Sequence, residues 1–164
     1  MKTLLLVYHS ATGGTRHMAQ AAAAAAVRLE PDLHVLLLPA AEATPAHLLA
    51  AQGYIFATPE NLASMAGVMK DFFDRCYYPV LEQLNGRPYA AMVCAGTDGT
   101  GALRQLERIA TGWRLRRVAE PIILRNGAQT AAAIAAPKHF TPAELARCAE
   151  LGAAMAAGLA LGVF

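Results

Sequence analysis

The chain has 164 residues, 55% of them hydrophobic and 16% charged, which is long enough for one buried core and too apolar for a disordered chain. Its formal net charge is only +2, and no basic stripe is interleaved with aromatics, so nucleic acid is not an expected partner. Cys76, Cys94 and Cys148 have no paired spacing and read as free thiols of a reducing compartment.

Thr3–Tyr8 is a short apolar run that fits a central, fully covered strand. Gly14–Leu29 reads as a helix whose tract Ala21–Ala26 uses the best helix former and lets the helix lie close on a sheet. Leu33–Leu38 is the second strand. Thr44-Pro45 looks like a cap followed by a first-turn proline, opening a short helix to Ala51. Tyr54–Ala57 is the third strand. Ser64–Tyr77 reads as a helix, with Val68, Phe72 and Cys76 beside Met69, Phe73 and Tyr77 on one wide apolar face.

Tyr89–Ala95 is the fourth strand, and a helix over 101–113 follows, with Leu103, Leu106, Ala110 and Trp113 inward. Val118–Leu124 is the fifth strand; Pro121 within it suits only a sheet edge, because proline cannot donate to a ladder. Thr141-Pro142-Ala143-Glu144 is a capping box that starts the last helix, with Leu145, Cys148, Gly152, Met155 and Leu159 facing the core. Strands alternating with helices predict a single α/β domain over residues 1–164. The expected fold is three-layer and doubly wound, with a five-stranded parallel sheet in the order 2-1-3-4-5. Ligands then bind outside the carboxyl ends of the strands.

Leu4–Val7 is too short for a signal-peptide core, and the apolar tail from Leu151 is too short to span a bilayer, so a cytoplasmic protein without membrane insertion is expected.

The loop Ser10-Ala11-Thr12-Gly13-Gly14-Thr15 leaves the first strand and opens the first helix. Amides at a helix amino terminus attract an anion, and glycines let the backbone close around a phosphate. A P-loop would need a lysine after its last glycine, and Arg16 follows Thr15 instead. A Rossmann fingerprint would need GxGxxG and an acidic residue ending the second strand, where Leu38-Pro39 stand. A receiver domain would need acidic residues where His9-Ser10 and Ala57-Thr58 lie. The dispersed histidines (His9, His17, His34, His47, His139) suggest no metal site. The pairs Lys70/Asp74 and Asp71/Arg75 read as helix-surface pairs, and Tyr77 and Tyr78 as core or subunit contacts.

Val7–Thr15 resembles the FMN phosphate loop of flavodoxins and related flavin reductases. Thr58-Pro59-Glu60-Asn61-Leu62-Ala63-Ser64-Met65, with the helix through Arg75, resembles the ring-contacting stretch of NADPH-dependent FMN reductases and quinone-reductase-like flavodoxins. Cys94–Gly101 resembles the loop on the other side of the flavin. The resemblance implies that Ser10, Thr12, Gly13, Gly14 and Thr15 hold the phosphate. It implies that Thr58, Pro59, Glu60, Asn61, Leu62, Ser64 and Met65 lie along the isoalloxazine, and that Ala95, Gly96, Thr97, Asp98 and Gly101 close its pyrimidine side. Backbone amides there would stabilise the charge that reduction brings.

Neither ring loop contains an aromatic residue, and the chain is slightly basic, whereas the family's electron carriers are acidic and sandwich the ring with aromatics. The implied function is an FMN oxidoreductase. It would take hydride from NAD(P)H through flavin N5 to a quinone or similar small electron acceptor, with no side chain needed as acid or base. The alternative is a flavodoxin-type electron carrier without NAD(P)H activity. Related reductases form homodimers or homotetramers.

Overall fold

The structure, a computed structural model, describes residues 1–164. The elements in chain order are β1 (Thr3–Tyr8), α1 (Gly14–Leu29), β2 (His34–Pro39), α2 (Pro45–Ala50), β3 (Gly53–Asn61), β4 (Ser64–Met65) and α3 (Gly67–Val80). They continue with β5 (Pro88–Ala95), α4 (Thr100–Gly112), β6 (Arg116–Arg117), β7 (Ile122–Arg125), α5 (Ala131–Ala135) and α6 (Pro142–Leu161). The main sheet runs β2-β1-β3-β5, with β6 and β7 both on the outer edge of β5 and every one of these pairings parallel. Counting β6 and β7 as halves of one strand, this is the expected flavodoxin order.

Side chains alternate between two buried faces, as a strand's period of two requires. Leu5, Val7, Tyr54, Phe56, Ala91 and Val93 face α2, α3 and α4, where Phe56 and Phe73 each lie within 6.4 Å of Trp113, ring centre to ring centre. Leu4, Leu6, Ile55, Ala57, Ala90 and Met92 face α1 and α6. The alanines of α1 serve a second contact that the sequence did not reveal: the backbone of Ala22 lies directly on Gly152 of α6.

Three expectations need correction. The fifth strand is not continuous from Val118 to Leu124. Arg117 pairs with Tyr89 and Ile122 with Met92, so residues 118–121 bulge opposite only Ala90 and Ala91. Pro121, which has no N–H to give the ladder, sits in that bulge. Second, the helix expected from Ser64 starts at Gly67, because Ser64 and Met65 turn back as β4 against an extended β3. Third, Val68 and Tyr77 are each 38% exposed, while Met69, Phe72, Phe73, Cys76 and Val80 are buried. A four-residue step advances about 40° around a helix, so the start of one apolar row and the end of the next turn out of the core. Tyr78 is also a surface residue.

The helix caps behave as expected. Thr141 Oγ1 accepts from Glu144 N at 3.2 Å while Glu144 Oε2 accepts from Thr141 N at 2.8 Å. At α2, His47 Nδ1 accepts from the backbone N–H of the N-cap Thr44 at 3.1 Å. Lys70–Asp74 and Arg75–Asp71 are surface ion pairs, each 2.7 Å long; Arg75 also donates to Ala40 O at 2.8 Å and to Ala43 O at 3.1 Å.

Candidate functional site

The loop from β1 to α1 makes a sharp turn at Gly13, whose φ of +98° is a left-handed conformation natural to glycine. Ser10 Oγ accepts from Gly13 N at 3.1 Å and closes the turn. No side chain caps α1, so its first-turn amides lack a side-chain acceptor, and Gly14 and Thr15, which carry two of them, are buried, Gly14 against Cys94, Lys138 and Phe140. Thr15 is 1% exposed, and its hydroxyl oxygen has no hydrogen-bond partner. The Cys94 thiol beside it is a weak partner that falls short of hydrogen-bond geometry. Burial pushes the Cys94 thiol pKa up, so this sulfur is neutral and packs as a core group.

The second loop is a two-residue hairpin. Asn61 pairs with Ser64 and Glu60 with Met65, leaving Leu62 and Ala63 at the tip with φ of +50° and +62°. Both central residues are left-handed, which is the type I′ pattern usually written Asn-Gly. Each L-residue in that region costs roughly 1–2 kcal/mol. Contacts to α4 hold it there. Glu60 Oε1 accepts from Gly99 N at 2.9 Å and Oε2 from Ala102 N at 3.1 Å. Gln105 accepts from Met65 N at 2.9 Å and donates to Ser64 Oγ at 3.1 Å. Glu60 thereby caps α4, whose own N-cap, Gly99, has no side chain to do so.

These loops border a cleft of about 390 Å³ at the carboxyl ends of β3, β5 and β7. Of the residues expected at the site, Thr12, Pro59, Glu60, Asn61, Leu62, Ala95, Gly96 and Thr97 line it. Ser10, Gly13, Gly14 and Thr15 form the turn beneath Thr12. Thr58 is buried behind the wall, where Oγ1 accepts from Ala66 N at 3.2 Å and donates to Pro59 O at 3.0 Å. Met65 belongs to the core, Ser64 is tied to Gln105, and Gly101 lies under the hairpin rather than on the cleft. Asp98 is exposed and turned to Thr100, whose hydroxyl donates at 2.8 Å; that bond and the Thr100 amide lower its pKa.

Asn126, Ala128, Ile134 and Lys138 complete the wall and were missed by sequence reasoning, as was Cys94. They lie in the stretch between β7 and α6. Asn126 N donates to Ala95 O at 2.9 Å, Gly127 N to Gly96 O at 2.8 Å and Lys138 N to Thr12 O at 2.9 Å. Position alone was the available signal, since every loop leaving this end of a parallel sheet can reach the ligand. A larger hollow of about 580 Å³ lies on the outer side of α4, walled by Arg104, Glu107, Arg108, Thr111 and Gly112. It has no apolar side chain in its wall and is remote from the strand ends, so the smaller cleft is the functional candidate. No three His, Cys, Asp or Glu side chains converge as a metal site would require.

Residues 1–129 match the family model described as NADPH-dependent FMN reductase. The chain belongs to that family. A flavodoxin of Aquifex aeolicus (strain VF5) is 32% identical over 101 residues, which cover 62% of this chain and 54% of that protein. The alignment thus spans about half the length of that relative. The flavodoxin, WrbA-like protein from Agrobacterium tumefaciens superposes with a TM-score of 0.73 at 20% identity, covering 96% of each chain. Rubredoxin oxygen:oxidoreductase from Desulfovibrio gigas reaches 0.77 at 15% identity, covering 99% of this chain and 37% of that one. At these identities the structural likenesses speak for the flavodoxin-like fold.

FMN is the cofactor that membership in the FMN reductase family supports, and the residues fit it. The orphaned Thr15 hydroxyl, at the head of α1 beneath Thr12, is the observation that bears on this fit, because a buried hydroxyl without a partner is unfavourable unless a ligand supplies one. Thr15→Val keeps the shape and removes the oxygen. The ligand-free variant is expected to be as stable as the parent or about 1 kcal/mol more stable. Its FMN affinity is expected to fall about tenfold or more, the value of one hydrogen bond to a charged group. Thermal unfolding and flavin fluorescence titration measure the two effects. A variant with unchanged FMN affinity would remove Thr15 from the site.

Proposed function

We propose that this FMN reductase family chain binds FMN in the cleft and uses NAD(P)H to reduce a quinone or similar small acceptor. The observation that carries the reading is the composition of the cleft wall, which contains no aromatic residue. A ring bordered by Pro59, Leu62 and Ile134 leaves a face on which a nicotinamide can stack. FMN, when bound, supplies the acceptance and release of hydride. The chain's own part is to bind and orient. Thr12, Thr15 and the first-turn amides of α1 receive the phosphate. The hairpin and the backbone of Ala95–Thr97 border the ring, where amides can stabilise negative charge. Glu60 fixes the distance between those two walls through its bonds to Gly99 and Ala102.

The Aquifex relative is described as a flavodoxin, and this favours a second reading: an electron carrier that does not itself react with NAD(P)H. The two separate in one anaerobic experiment on the FMN-loaded chain. The reductase reading expects added NADPH or NADH to bleach the visible flavin bands in a single two-electron phase. Flavin bands untouched by either nucleotide would sink it and put the carrier first. A cytoplasmic location and assembly as a homodimer or homotetramer belong to the same reading. No helix is long and apolar enough to cross a membrane.

A further inference from the structure

Lys138 is 8% exposed, and its ammonium enters none of the molecule's four ion pairs. Nζ donates to Ile134 O at 2.8 Å and Ala136 O at 2.6 Å, the carbonyls at the end of α5. An ammonium has three donors, so one remains without a protein acceptor. Burying a cation with no counter-charge is unfavourable, and such groups are found paired or facing an anionic ligand. Lys138 lines the cleft in company with Thr12. Its backbone is tied to the phosphate-type loop through Lys138 N to Thr12 O at 2.9 Å. Its Cβ lies 3.2 Å from where a side chain on Gly14 would begin. Glu60, the one carboxylate in the cleft wall, is committed to the amides of Gly99 and Ala102.

Lys138 thus joins the phosphate-type loop, through its backbone and Cβ, to the end of α5, where two carbonyls hold its ammonium within electrostatic reach of the Cys94 thiol beside Thr15; one ammonium donor and the Thr15 hydroxyl both lack a partner that an anion would provide. We propose that Lys138 is the counter-cation of the flavin's phosphate monoester and makes the site select FMN over riboflavin. This rests on the reading of the cleft as the FMN site. The stretch between β7 and α6 thereby acts as a clamp that adds a positive charge to the phosphate site.

The test is the ratio of riboflavin to FMN dissociation constants, measured by flavin fluorescence quenching on the full chain. Lys138→Met keeps the length of the side chain and removes the charge. Lys138→Gln is also neutral but retains donors for the α5 carbonyls, and so covers the case in which the methionine variant does not fold. Both are expected to weaken FMN about tenfold or more and leave riboflavin unchanged, while Lys138→Arg keeps most of the preference. Equal loss of both flavins would mean that Lys138 only ties off α5, and would overturn the proposal. An unchanged ratio in the neutral variants would overturn it as well. A parent chain that binds riboflavin and FMN equally overturns the clamp while leaving flavin binding standing; one that binds neither overturns the cofactor reading with it.

Discussion

Gly152→Ala is expected to lower the melting temperature by roughly 4–8 °C, corresponding to a loss of about 2 kcal/mol. A Cβ at Gly152 would be driven into the carbonyl and Cα of Ala22. Both positions are in the middle of long helices, α6 and α1, whose backbones cannot yield locally. The helices must separate, and the alanines packed between them (Ala19, Ala22, Ala23 and Ala26) lose contact with α6. Alanine is the better helix former by about 1 kcal/mol, which acts in the opposite direction and is already included in the net figure. Thermal unfolding followed by circular dichroism measures the change. A melting temperature equal to or above that of the parent would show that propensity outweighs the clash.

Gly101→Ala is a similar collision with a different outcome. Its Cβ would enter the carbonyl of Ala63, at the hairpin tip, and approach Glu60 Oε2 to 3.4 Å. The hairpin is an exposed two-residue turn already in left-handed backbone, so it yields where a helix cannot. The melting temperature is expected to change little. The site is expected to suffer, because the hairpin carries Pro59–Ala63 of the cleft wall and Glu60 joins it to α4. Losing one ring-side hydrogen bond and the wall's position is worth about 1.5–3 kcal/mol, or about ten- to a hundredfold in FMN affinity. The damage is at the ring, so riboflavin weakens in parallel, unlike the effect expected at Lys138. Fluorescence titration with both flavins checks this; FMN affinity equal to the parent's would mean that the hairpin does not hold the ring.

Local patterns made much of the fold legible. The apolar run of β1, the proline-marked caps of α2 and α6, and the apolar rows of α3 are each written within a few residues, so short-range sterics and burial define them. The Ser10–Thr15 loop could be placed after its strand for the same reason, whereas the loops at Thr58–Met65 and Cys94–Gly101 were placed by the family resemblance. Leu62-Ala63 carries no turn signal, because neither residue prefers a positive φ; the turn exists only because Glu60 and Gln105 reach across to α4. The split of the fifth strand could be half read: Pro121 marked an edge, but the extra residues of the bulge depend on the register with β5.

The sequence by itself determined the alternation of strands and helices, the glycine turn at the head of α1 and the family resemblance that membership bears out. These depend on backbone conformation and on side-chain period, which neighbouring residues set. Only the tertiary structure decided that Thr15 is an orphaned hydroxyl, that Glu60 caps a helix 39 residues away, and that Lys138 is buried in the cleft wall with its backbone on Thr12. Each of those facts depends on a neighbour distant along the chain: Cys94 beside Thr15, Gly99 and Ala102 bonded to Glu60, and Thr12 bonded to the Lys138 backbone. Such partners are set by how the strand ends converge, which no local spacing encodes.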